Sequence, residues 1–117
     1  MAGINRDATA TIANGASLSS AIALGAGVPL GLQMPASFTG TAITFQTSHD
    51  GMTYQNLYDD AGNEISVTVA ASQNVSLPAS VMAAWRFLKI RSGTAGSPTA
   101  EGGARTLTLI NRVETIE

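Results

Sequence analysis

The chain has no cysteine. That excludes a disulfide framework, a thiolate nucleophile and a cysteine-held zinc site, and leaves the redox compartment unmarked. Charged residues make up only 12% of the 117 positions, about half the usual share. The formal net charge is −2, so the basic footprint that nucleic acid or an anionic membrane surface requires is missing. There is a single histidine, His49. It precedes Asp50-Gly51, where a histidine is ordinarily just solvated. No G-x-S-x-G elbow accompanies it to suggest a hydrolase, and one imidazole among scattered carboxylates is a poor zinc site. Aromatic residues are scarce: three Phe, two Tyr and one Trp. No apolar run is long enough for a membrane span. Residues 1–7 carry Arg6 and are followed by Ala8-Thr9-Ala10-Thr11, not by an apolar stretch, so no secretory signal is expected either.

Small residues are plentiful. Alanine, threonine, glycine and serine fill the places that charged residues usually take. Apolar residues still amount to 44%, enough to bury one core, and the length suits one domain. Alternation of apolar and polar residues recurs at roughly ten-residue spacing. It is seen at Val28–Met34, Ala42–Ser48, Glu64–Val69, Arg86–Arg91 and Arg105–Ile110, and Leu18–Leu24, Met52–Tyr58 and Val75–Leu77 also read as strands. Turn signals at Asn14-Gly15, Asp50-Gly51 and Asp59–Asn63 separate several of these runs. Residues 79–85, with Pro78 before them, form the only convincing helical turn. About eight short strands and one helical turn predict an all-β fold, an antiparallel, jelly-roll-like β-sandwich.

The sandwich is expected over residues 18–117, ending in a short polar tail from Asn111. Residues 1–17 read as an extended N-terminal arm or an edge strand. The Val28–Met34 run should place Val28, Leu30, Leu32 and Met34 on one face, with Pro29 confining it to an edge or a strand start.

No catalytic, cofactor-binding or metal-binding residue is expected. Asp59–Glu64 has a calcium-loop composition without the D-x-[DN]-x-[DN]-G spacing, and turn chemistry explains it as well. Tyr54 and Tyr58 lie at even spacing on one strand and so share a face, either stacking on a sugar or capping the core edge. Arg86, Lys89 and Arg91 crowd six positions, forming either a small basic patch for an acidic protein surface or a solvated sheet face.

Several segments resemble small structural proteins of tailed bacteriophages and prophages. They are Leu32-Gln33-Met34-Pro35, Ile43-Thr44-Phe45-Gln46, Ser48-His49-Asp50-Gly51-Met52-Thr53-Tyr54, Leu57-Tyr58-Asp59-Asp60-Ala61-Gly62, Arg86-Phe87-Leu88-Lys89-Ile90-Arg91-Ser92-Gly93-Thr94 and Arg105-Thr106-Leu107-Thr108-Leu109. The resemblance implies a virion protein assembled in the host cytoplasm. The implied form is a capsid decoration (cement) protein, or a head-fibre base, on the outside of the head. It further implies a homo-oligomer, typically a trimer, partnered by the major capsid protein, with no enzymatic activity. Contacts are then expected at the arm (Ile4, Arg6, Ile12), at Arg86, Lys89 and Arg91, and in the 92–104 loop. The outline also resembles discoidin-like carbohydrate modules, which makes adhesion to host glycans through Tyr54 and Tyr58 the alternative expectation.

Overall fold

The computed structural model describes residues 2–25, 27–82 and 84–115, with side chains for 5–25, 27–82 and 84–113. In chain order the elements are β1 (Ala2–Ile12), β2 (Ile22–Ala23), β3 (Val28–Gln33), β4 (Ala42–Ser48), β5 (Gln55–Asn56), β6 (Ser66–Thr68), β7 (Asn74–Ser76), α1 (Ala79–Met82), β8 (Phe87–Ser92) and β9 (Arg105–Thr115). All strand pairings are antiparallel. One sheet has the order β1-β9-β3-β7; the other has β2-β8-β4-β5, with β6 also on β4.

β5 and β6 are two halves of one strand. Along β4, Thr44 faces Ser66, whereas Gln46 faces Asn56. Residues 58–65 are pinched out between them, closed by the Tyr58–Glu64 bridge. With the halves joined, the chain passes from sheet to sheet at every connection except the one after β4, and the strand orders are those of a jelly roll. The expected all-β sandwich is the fold observed.

Period-2 alternation builds the core, since alternate side chains point to the same face. Leu107 and Leu109 of β9, Ala10 and Ile12 of β1 and Leu32 of β3 face Ile43 and Phe45 of β4 and Leu88 and Ile90 of β8; all are essentially inaccessible. Met82 of α1 closes one margin. Burying Phe45 alone contributes about 2–3 kcal/mol.

Two expectations are corrected here, and one left open is decided. Of the two forms open to the N-terminal segment, it takes the edge strand: β1 pairs with β9 in unbroken register from Ala2↔Thr115 to Ile12↔Arg105. The same pairing extends β9 past Ile110, so 111–115 is strand and not tail. In β3 the register shifts between Pro29 and Gly31. This bulge turns Pro29 inward and leaves Leu30 half-exposed, against the expected Val28/Leu30/Leu32/Met34 face. Proline lacks an N–H for the ladder, and Pro29 lies outside the stretch of β3 that pairs with β7.

The Asp50-Gly51 turn signal falls in the turn after β4, which is longer than two residues because Thr47 faces Gln55. Side chains capture the backbone donors in between. Ser48 Oγ accepts from the Asp50 and Gly51 amides, and Asp50 Oδ1 accepts from those of Met52 and Thr53. Gly51 adopts φ +78° and packs against the Phe87 ring.

Candidate functional site

The edge of β1 is the first candidate surface. Thr11 C=O accepts from Ser20 N–H at 3.1 Å, and Thr11 N–H donates to Ser20 Oγ at 3.3 Å. Thr11 therefore directs its backbone groups away from β9. By the two-residue alternation of an antiparallel ladder, Asn5, Asp7 and Thr9 do the same. No backbone partner meets those three along this edge among the described residues, and their side chains are exposed.

Of the predicted contact residues on this strand, Arg6 is exposed and the Ile4 side chain lies outside the described residues. Ile12 is corrected: it is 0% exposed within the subunit's own core and cannot anchor a neighbour. The Ala8/Ala10/Ile12 alternation puts it on one face of the strand, and the pairing of β1 with β9 turns that face to the core.

The three predicted basic residues do not form one patch. Arg86 is exposed. Lys89 places its ammonium 4.4 Å from the Tyr54 ring centroid, a cation–π contact of about 0.5–1 kcal/mol. Arg91 is 7% exposed; it donates to Thr44 Oγ1 at 3.2 Å and to Asn56 Oδ1 at 2.7 Å, and pairs with Glu64 at 3.5 Å. Glu64 also accepts from the Ala95 amide. The guanidinium thus pins the pinched-out 58–65 segment and the 93–98 loop over the outer face of the sheet. The side chains of the acidic turn diverge: Asp59 caps the Ala61 and Asn63 amides, while Glu64 turns to Arg91.

Periodicity gave no hint of Glu101. It is 1% exposed, although it lies in the Gly/Ser/Thr-rich 92–104 loop. Its Oε1 accepts from Thr39 N–H and Arg105 Nε, each at 3.0 Å. Its Oε2 accepts from Thr39 Oγ1, Gly40 N–H and Ser92 Oγ. Its backbone pairs with Gly15 and Ala16. Burial alone would raise this carboxyl's pKa, but the donors from Thr39, Ser92 and Arg105 outweigh it and hold the pKa below the ordinary value. The loop expected as an interface is therefore tied down at its base.

At the opposite end of β4 lies a cleft of about 330 Å3. The 48–53 turn, β5 with Leu57 and Tyr58, and Trp85 form its walls. Tyr58, 52% exposed, borders the cleft. Tyr54 does not, so the two tyrosines do not make one platform there. Register places this cleft and the 2–6/111–115 end of the β1–β9 ribbon at the same end of the molecule.

Comparison with protein-family models and with curated proteins yields no match to the chain. The class that can be stated is structural: an all-β sandwich of two antiparallel sheets.

Proposed function

We propose that the protein is a structural subunit of a bacteriophage virion, a capsid decoration protein that acts by binding its own copies and a larger shell. The sequence resemblance supports this reading, and the unpaired edge of β1 is the observation that carries it. An exposed strand edge is a template for adding a strand from a neighbour. The implied partners are further copies, as a trimer, and the major capsid protein.

Charge placement on β1 bears on symmetry. A two-fold pairing centred on the middle of the edge sets Arg6 against the copy's Arg6, or Asp7 against the copy's Asp7. Like charges directly opposite are destabilising. A cyclic, head-to-tail contact avoids both clashes and suits a trimer.

Asp7→Pro removes an outward-pointing N–H and leaves the internal ladder intact. Ala8→Pro removes an N–H that pairs with β9. Native mass spectrometry and co-sedimentation with undecorated capsids should find the wild type oligomeric and capsid-bound. Asp7→Pro should be folded but weakened in both respects. A wild-type monomer at high concentration that does not bind capsids overturns the proposal.

A further inference from the structure

We infer that the cleft beside Trp85 is a binding site for a neutral sugar unit of a glycan. The site is independent of the β1 edge, and it is not the Tyr54/Tyr58 pair that the sequence suggested.

Thr47 is the starting observation. It lies on the inward row of β4 with Ile43 and Phe45 and is only 5% exposed, yet it lines the cleft. Among the described residues its hydroxyl takes part in no hydrogen bond, and the oxygen is not sealed off from solvent. The hydroxyl therefore meets solvent in the cleft, and a ligand entering it can take the place of that water. The Trp85 indole N–H and the Gln55 amide, also on the cleft walls, likewise have no protein partner among the described residues.

The chemistry of the walls selects the ligand class. A pyranose has an apolar C–H face and a ring of hydroxyls that both donate and accept. The cleft offers an indole, the buried Leu57, and hydroxyl and amide groups that donate and accept in turn. Its lining includes no carboxylate, Lys or Arg, and His49 is its one imidazole, so a cationic ligand would find no counter-ion and a neutral one needs none. Its volume is at the small end of ligand-holding clefts, about 300–1,000 Å3, suited to one or two sugar rings.

The site is also pre-organised. Ser48 and Asp50 between them hold the four amides of residues 50–53. That wall therefore loses little freedom when a ligand binds.

Trp85 is the only tryptophan, so its fluorescence reports on the cleft directly. The full chain would be titrated with the methyl glycosides of glucose, galactose, mannose and N-acetylglucosamine and with their trisaccharides. A Leu-rich neutral peptide would serve as the competing class. Expected is a saturable Trp85 response to at least one sugar and none to the peptide. Thr47→Val keeps the side-chain shape and should weaken sugar binding by roughly three- to tenfold, the effect of one neutral hydrogen bond. Gln55→Ala, at an exposed position, should weaken it comparably without disturbing the fold. The inference is overturned by no saturable response up to roughly tens of millimolar, the weak end of specific affinity. It is equally overturned by a response to the peptide alone, or by sugar binding that both variants leave unchanged. Loss of capsid binding in Asp7→Pro with sugar binding intact would show that the two surfaces act separately.

Discussion

Glu101 shows how much one buried carboxylate can organise when all its lone pairs are used. It joins the 13–16 turn, the 39–40 loop, β8 and β9 at one end of the sandwich. Glu101→Gln removes the charge and turns an amide N–H2 toward groups that are themselves donors. It should cost about 3 kcal/mol, lowering Tm by roughly 10 °C, as calorimetry would measure. Arg91 plays a similar part at the outer face of the other sheet. Arg91→Ala leaves Asn56 without its donor and Glu64 with only the Ala95 amide, and should cost about 2–3 kcal/mol in urea unfolding. Lys89→Ala, which removes a half-exposed cation–π contact, should cost less than about 1 kcal/mol. Equal losses for these two basic residues would contradict the division between a buried tie and a surface contact.

At the scale of elements, strand ends are decided by where backbone donors find partners. β5 is cut to two residues because Ser48 and Asp50 capture the amides that a longer hairpin would have used. After β8, Gly93 turns the chain at φ +87°, and an added Cβ would stand 2.6 Å from Ser97 O. Gly93→Ala should therefore destabilise by about 2 kcal/mol or more, through both the left-handed backbone and the clash. Gly96, where an added Cβ meets nothing within 4 Å, should accept alanine with little change; thermal melts of the two variants make the comparison. The two β1 prolines distinguish its edges in the same way. Ala8→Pro should cost about 3 kcal/mol of stability, and Asp7→Pro much less.

For the whole molecule, acid is the condition to which the structure responds. The amides of Thr53 and Met52, with the Ser48 hydroxyl, hold Asp50 down from 3.8 to about 2, and Glu101 also lies below its ordinary 4.5. Groups with depressed pKa values stabilise the fold fully above their unfolded values, and that stability is lost as pH falls through the folded ones. Tm should stay level from neutral pH to about 5 and fall below about 4.5. Glu101→Gln should start from a lower Tm and show a shallower acid decline. An equally steep decline in that variant would remove Glu101 as a cause.

Local pattern was enough to read the architecture: alternation at Ala42–Ser48, Arg86–Arg91 and Arg105–Ile110 requires strands with one buried face, and several such strands with one helical turn make a sandwich. Alternation says which residues share a face, but not which faces another segment covers. For that reason Arg91 resembled a surface charge until the 58–65 excursion was seen to lie over it. Ile12 likewise resembled an anchor until β1 was paired along β9. Glu101, Thr47 and the Trp85 cleft bring together groups distant in the chain, and no local period encodes such meetings. The sequence by itself determined the class of fold, because side-chain alternation is a property of neighbours along the chain. Only the tertiary structure decided which polar groups are buried, paired or open to a ligand, because that depends on what packs across from them.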